Sequence, residues 1–131
     1  MLAEEEDRDL WYGHQELILA IDDEPTVCEI VKDTLETHNY RVSIAHNGVE
    51  AVELYAKHKE EIHCVLMDMM MPSMDGLATI SQLRQLNPNI YAIAMSGLNS
   101  TDAVDRALRS GFQKFLPKPF AKKELLSVLR S

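Results

Sequence analysis

Cysteine is scarce in this chain of 131 residues. Its two cysteines, Cys28 and Cys64, are widely spaced and match neither a metal-binding nor a paired redox motif. Because cysteine packs well as a small apolar residue, we predict two free thiols that are buried in a reducing compartment.

Positive charge is also in short supply. The chain has 13 Lys and Arg residues against 21 Asp and Glu residues, which gives a formal net charge of −8. Binding to duplex DNA requires clustered cations, and the only basic cluster consists of Lys118, Lys122 and Lys123. We therefore expect no direct contact with nucleic acid.

Long apolar runs are absent as well. The longest uncharged stretches, such as Leu17–Ile21 and Ile90–Met95, have the length of a strand and are too short to cross a bilayer. The N-terminus is acidic and lacks the basic start and apolar centre of a signal peptide. We expect a soluble cytoplasmic protein without membrane contact.

The composition that is present suits one globular domain, with 46% hydrophobic and 26% charged residues. Residues 1–15 are acid-rich and are interpreted as an N-terminal extension or linker, and residues 16–131 as the domain. We expect the extension to be a frayed terminal segment. The alternative is that it docks through Trp11.

Apolar runs alternate with amphipathic segments along the domain. This pattern predicts an α/β fold in which five strands form a parallel sheet covered by helices on both faces. Pro25 suits the first turn of a helix that acidic residues before it could cap. Four apolar residues then follow at helical spacing: Val27, Ile30, Val31 and Leu35. The strands are expected over residues 17–21, 41–45, 64–67, 90–95 and 112–116.

Reactive side chains stand where the predicted strands end. Asp22 and Asp23 end the first strand, Asp68 ends the third, Ser96 ends the fourth, and Lys118 follows the fifth. Sites in open α/β sheets form at the carboxyl ends of the strands. Each residue alone has an ordinary explanation, such as a helix cap, a turn or a surface lysine. Together they predict a site.

The residue types in this group indicate phosphoryl transfer. Carboxylates held roughly 4 Å apart repel each other by about 4 kcal/mol per pair at an effective dielectric constant near 20, so they share protons or bind a cation. Oxygen ligands favour Mg²⁺. One carboxylate can then serve as the nucleophile, while Lys118 supplies a positive charge and Ser96 a hydroxyl group.

Four segments together resemble the signature segments of response-regulator receiver domains. They are Ile21-Asp22-Asp23-Glu24-Pro25, Asp68-Met69-Met70-Met71-Pro72-Ser73-Met74-Asp75-Gly76, Met95-Ser96-Gly97 and Lys118-Pro119-Phe120. The resemblance extends from residue 16 to about residue 130. It implies a flavodoxin-like, doubly wound, five-stranded parallel sheet of order 2-1-3-4-5 with five helices.

The resemblance also implies a role for each matching residue. Asp68 would be the phosphoacceptor. Mg²⁺ would be held by Asp23, Asp68 and the backbone carbonyl of Met70, with Asp22 acting mostly through water. Lys118 would contact the phosphoryl group, and the Lys118–Pro119 peptide bond would be cis.

Two further groups of residues follow from the same resemblance. Ser96 and Phe115 would form a switch that moves on phosphorylation. Met70, Gly97 and Leu98 would form the rim of the site, where Gly97 leaves room for the phosphoryl group. Polar side chains at the positions of Met70 and Leu98 can place the hydrolytic water in this family. Because both are apolar here, we expect slow autodephosphorylation.

The function that the resemblance implies is a signalling switch, not an enzyme with a separate substrate, although it promotes its own phosphorylation and dephosphorylation. A histidine kinase or phosphotransfer protein would be the donor. The face formed by helix 4, strand 5 and helix 5 would bind a downstream protein. We expect no output domain within residues 1–131, so that output occurs through protein binding or through a larger protein such as a hybrid histidine kinase.

Two alternatives remain open at this point. A haloacid-dehalogenase-like phosphatase also uses a strand-end aspartate and Mg²⁺, but it should carry a second acid two residues after the nucleophile, where this chain has Met70. An interaction module that is never phosphorylated would usually lack the acceptor or a pocket acid, and none is missing here.

Overall fold

Strands and helices alternate along the chain as the sequence pattern predicts. A computed structural model describes residues 12–70, 76–97 and 101–129. No helix in these ranges is both long enough and apolar enough to span a bilayer. The elements are β1 (Leu17–Ile21), α1 (Pro25–Thr37), β2 (Arg41–Ala45), α2 (Gly48–His58), β3 (Ile62–Asp68), α3 (Gly76–Leu86), β4 (Ala92–Ser96), α4 (Thr101–Arg109), β5 (Lys114–Pro117) and α5 (Lys122–Leu129).

The five strands form one parallel sheet of order β2-β1-β3-β4-β5, which confirms the predicted doubly wound topology. β4 and β5 each begin two residues later than expected. Ile90 and Phe112 are buried, but their N–H groups bond back to Asn87 and Ala107 in the turns that close α3 and α4. The backbone N–H groups of these two buried residues therefore form their hydrogen bonds in the preceding turn and not with a neighbouring strand.

The alternation of side chains along each strand builds two cores, one on each face of the sheet. In β1, Leu19 and Ile21 point to one face, where they join residues of α2, α3 and α4. Ile18 and Ala20 point to the other face, which is covered by α1 and α5. All four are buried, as expected for a strand that is covered on both sides.

The first helix begins without the side-chain cap that its acidic neighbours could provide. Pro25 occupies its first turn and Glu24 its N-cap position, but the Glu24 side chain makes no capping bond. Instead, the Glu24 N–H donates to Asp22 Oδ1 over 2.9 Å. The Glu24 carboxylate is thereby left available to groups at the end of the sheet. By contrast, α2 is capped by Asn47, whose side chain accepts from the N–H of Glu50 at 2.8 Å.

Both cysteines are free and buried, as predicted. Burial in apolar surroundings raises the pKa of the Cys64 thiol to about 12. Burial raises the pKa of the Cys28 thiol to about 11, with a further increase from the charge of Asp22. Both groups are therefore protonated and poorly nucleophilic at neutral pH.

Residues 13–15 pack against the turn between α1 and β2. The N–H groups of Gly13 and Gln15 donate to the carbonyls of His38 and Asn39 at 2.7 and 2.8 Å. The side chain of Asn39 in turn donates to the Gly13 carbonyl at 2.8 Å. These residues are anchored and not frayed. Trp11 lies outside the described residues, so docking through it stays a prediction.

Gly111→Ala is expected to lower the free energy of unfolding by about 1–2 kcal/mol. Gly111 ends the turn after α4 with a φ of +100°, and an added Cβ would lie 2.3 Å from Nη2 of Arg84. Urea denaturation would measure the change. Gly97→Ala is the matched control, since no heavy atom outside its chain neighbours lies within 4 Å of an added Cβ. Equal destabilisation of the two variants would contradict this account.

Candidate functional site

The parallel sheet brings the strand-end residues together at one edge. In the register of the sheet, Ile21 lies opposite Met67, Asp68 opposite Met95, and Ser96 opposite Pro117. Residues that end or directly follow these strands therefore meet. Carboxylate oxygens of four acids all lie within 4.8 Å of one another: Asp22, Asp23, Glu24 and Asp68.

Lys118 lies against three of these acids. Its Nζ is 2.7 Å from Asp22 Oδ2, 3.3 Å from Glu24 Oε1 and 3.5 Å from Asp68 Oδ2. The backbone N–H of Lys118 donates to the Ser96 carbonyl at 2.8 Å, and the following Lys118–Pro119 bond is cis, as the resemblance implies. The Lys118 ammonium group therefore lies among the acids of the cluster, directly after the end of β5.

Asp68 is buried, and its environment controls its protonation. Burial raises the pKa of Asp68 to about 6, opposed by the Met70 N–H, which donates to Asp68 Oδ1 at 3.1 Å. The charge of Asp22 raises the pKa further, whereas Lys118 lowers it. At neutral pH the carboxylate is therefore mostly ionised, but neighbouring groups balance its negative charge only in part.

Lys118 remains charged in spite of its partial burial. Burial acts to lower its pKa, but the hydrogen bond and charge of Asp22, together with the charge of Asp68 and the hydrogen bond to Glu24, outweigh burial and raise it. Within the part of the chain that the structure describes, this ammonium group contacts three of the four carboxylates in the cluster. The site is short of positive charge, and this shortage favours an added cation.

The donor set suits Mg²⁺. The four acids offer oxygen atoms only, which is the ligand type that this ion prefers, and Mg²⁺ commonly uses one or two carboxylates and keeps several waters. Asp23 is exposed and can be reached from solvent. Asp22 is buried and already accepts from the Glu24 N–H and contacts Lys118, which suits the indirect role expected for it. The role of the Met70 carbonyl stays a prediction.

Glu24 is the member of the acidic cluster to which the sequence analysis assigned no role. It belongs to the acidic cluster and contacts Lys118, although the expected ligands were Asp22, Asp23, Asp68 and the Met70 carbonyl. Its place directly after two strand-end acids was the signal available in the sequence. Because a helix is predicted to begin at Pro25, an acid at position 24 could also be explained as a helix cap.

The residues predicted to form the switch and the rim differ in how far they are buried. Ser96 is buried at the end of β4, and Phe115 is half-buried in β5, where it packs against the core under α2, α3 and α4. Met70 is 61% exposed beside the site. Gly97 has open space next to it, as expected. Leu98 lies outside the described residues, and the switching and rim roles stay predictions.

An apolar groove opens above the acids. It has a volume of about 500 Å³. Ile30 contributes to it and is 46% exposed, although it shares the helical spacing of the buried Val31 and Leu35. Helical spacing alone does not separate a residue at the edge of the buried stripe from one in its centre. The groove is lined by Glu24, Val27, Ile30, Asp68, Met70, Gly97, Lys118, Pro119 and Phe120.

Comparison with protein families gives one clear match. The family model described as the response regulator receiver domain matches residues 18–130. Among curated proteins, the chain is similar to the response regulator MprA of Mycobacterium ulcerans (strain Agy99), with 35% identity over 114 residues. That alignment covers 87% of this chain and 48% of MprA, so the chain spans about half the length of this relative.

Comparison with solved structures agrees. A chain of the CheX-CheY-BeF3-Mg+2 complex from Borrelia burgdorferi superposes with a TM-score of 0.80 and 26% identity, covering 88% of this chain and 90% of that chain. The receiver domain of the Francisella response regulator 1452 gives a TM-score of 0.79 at 30% identity, with coverages of 86% and 92%.

Proposed function

This chain belongs to the response regulator receiver domain family of two-component signalling, and we propose that it accepts a phosphoryl group on Asp68. The observation that carries the proposal is the position of Asp68, which ends β3 within an acidic cluster and 3.5 Å from Lys118. Membership of the family overturns the alternative of a haloacid-dehalogenase-like phosphatase.

The chemistry that we propose uses few groups of the protein. An Asp68 oxygen attacks the phosphorus of the donor, and the bond from phosphorus to the donor's leaving atom breaks as the acyl phosphate forms. The Met70 N–H fixes the Asp68 carboxylate through Oδ1, and Lys118 moves from its acid partners toward a phosphoryl oxygen. Bound at Asp23, Asp68 and the Met70 carbonyl, Mg²⁺ would neutralise negative charge on the transferring group.

The output that we propose is a change in a protein-binding surface. Ser96 is joined to the Lys118 backbone by a hydrogen bond, and Phe115 lies in β5, three residues before Lys118. A shift of Ser96 toward the phosphoryl group would therefore be transmitted to β5 and to the neighbouring α4 and α5. A histidine kinase or phosphotransfer protein is the proposed donor, and a downstream protein would read this face in the cytoplasm.

The direct test is incubation of the protein with Mg²⁺ and acetyl phosphate, followed by intact-mass measurement. We expect a gain of one phosphoryl group that is absent when EDTA removes the metal. The complex from Borrelia burgdorferi contains BeF3 and Mg²⁺, so a beryllofluoride complex is a second test of the same pocket. No adduct in either test would favour an interaction module that is never phosphorylated.

Met70→Asn and Leu98→Glu are each expected to shorten the lifetime of the acyl phosphate by about tenfold, which corresponds to about 1.4 kcal/mol in the barrier to hydrolysis. Met70 is exposed beside Asp68, and a polar side chain there would orient an attacking water molecule. Loss of the phosphoryl group is followed by mass after the donor is removed. Met70→Leu is the control that keeps an apolar rim, and an unchanged decay rate in both polar variants would refute the idea.

A further inference from the structure

We propose that the groove above Asp68 selects small acyl phosphates whose acyl group is apolar, so that an aromatic acyl phosphate is a better donor than acetyl phosphate. This inference rests on the proposed function, because it assumes transfer to Asp68. It adds a substrate preference that is carried by side chains outside the acidic cluster.

Most residues that line the groove are apolar, and its three charged residues lie together, because Lys118 contacts the other two. Val27 and Ile30 line it from α1, and Pro119 and Phe120 line it from the segment that follows β5. Met70 also lines the groove. A volume of about 500 Å³ exceeds that of a benzoyl group several times over, so an aromatic acyl group enters without displacing protein atoms.

A donor that reaches Asp68 meets this groove. The Asp68 side chain is only 4% exposed and is one of the residues that line the groove. In phosphoryl transfer the leaving group lies roughly in line with the attacking oxygen and on the far side of phosphorus. Because Asp68 is buried and lines the groove, the leaving group extends away from it, along the apolar residues of the lining.

The groove complements both ends of such a donor, with positive charge for the phosphoryl group and apolar surface for the acyl group. Lys118 can meet the phosphoryl oxygens. Beyond it, Ile30 is 46% exposed and Met70 is 61% exposed, so both present apolar surface to water. Covering these side chains with an apolar acyl group removes that surface from water, whereas an acetyl group is too short to cover it. Glu24 also lines the groove, and its negative charge disfavours an acyl group that carries a second negative charge.

The reaction balances without any additional reactant. A bond forms between an Asp68 carboxylate oxygen and phosphorus, and the bond between phosphorus and the bridging oxygen of the acyl phosphate breaks. The electron pair of that bond leaves with the carboxylate product. No proton is transferred, and nothing is oxidised or reduced.

The test compares the second-order rate constants for phosphorylation by benzoyl phosphate and by acetyl phosphate in Mg²⁺, measured by intact mass. Benzoate and acetate are leaving groups of similar basicity, so a difference reports binding to the groove. We expect benzoyl phosphate to react about tenfold faster with the wild-type chain. Ile30→Ser should lower the ratio of the two rates by about threefold or more, whereas Ile30→Leu should keep it.

Val49→Ser is the matched control, because Val49 is 58% exposed on α2 and is not among the residues that line the groove. Its ratio should equal that of the wild type. Equal rates with the two donors in the wild type, or a preference that survives in Ile30→Ser, would overturn the inference while leaving the function of Asp68 intact. No reaction with either donor would overturn the proposed function itself, and the inference with it.

Discussion

Asp68→Asn is expected to abolish the gain of a phosphoryl group from acetyl phosphate, with a rate at least about 10³-fold below that of the wild type, as when a catalytic nucleophile is removed. The amide has nearly the shape of the carboxylate, but it lacks the negative oxygen that attacks phosphorus. It also removes one of the four carboxylates of the cluster, so it weakens the attraction for Mg²⁺ at the same position.

The variant should fold well, and this separates loss of chemistry from loss of structure. Burial and the charge of Asp22 raise the pKa of Asp68, so its ionised form is unfavourable in the folded protein without metal. Removing that charge should keep or increase stability in EDTA. Asp33→Asn is the control, because Asp33 is an exposed acid of α1 outside the cluster. Phosphorylation of Asp68→Asn at the wild-type rate would identify another acceptor.

Asp23→Asn is expected to remove most of the stabilisation that Mg²⁺ gives to the folded chain. In the wild type, a ligand that binds only the folded state at 100 times its Kd adds about 2.7 kcal/mol to the free energy of unfolding. Asp23 is one of the two exposed acids of the cluster, so an ion can reach it from solvent. Urea denaturation with Mg²⁺ and with EDTA measures the difference for each variant.

Asp23 is a cleaner probe than its neighbours. Lys118 lies within 4.0 Å of Asp22, Glu24 and Asp68, so replacing any of these three would also change an ion pair. Replacing Asp23 leaves those pairs in place and relieves repulsion among the acids, so in EDTA the variant should be at least as stable as the wild type. If Mg²⁺ stabilises Asp23→Asn and the wild type equally, the cation does not bind at this cluster.

The sequence was sufficient for the topology and for the convergence of the acids because both depend on simple periodic patterns. Strands that are covered on both faces appear as continuous apolar runs, as in Leu17–Ile21. Once the strands are known to be parallel, side chains such as Asp22 and Asp68 at their carboxyl ends must lie at one edge of the sheet. The family resemblance then gave the order of the strands.

Details that depend on tertiary contacts were not predictable in this way. Glu24 had the sequence position of a helix cap, and only the fold shows that its carboxylate contacts Lys118 instead. Ile30 has the helical spacing of a core residue, but α1 is oriented so that this side chain borders the groove. The first residues of β4 and β5 depend on hydrogen bonds in the turns that precede these strands. The apolar character of a residue does not indicate whether it forms such a hydrogen bond.

The central claim is that Asp68 is the residue that carries the phosphoryl group. Treating the phosphorylated protein with borohydride reduces an aspartyl phosphate to homoserine, and peptide mass analysis then locates the modified position. We predict homoserine at residue 68, formed only when Mg²⁺ was present during phosphorylation. Homoserine at residue 22 or 23, or a phosphate that resists reduction and maps to Ser96, would contradict the account.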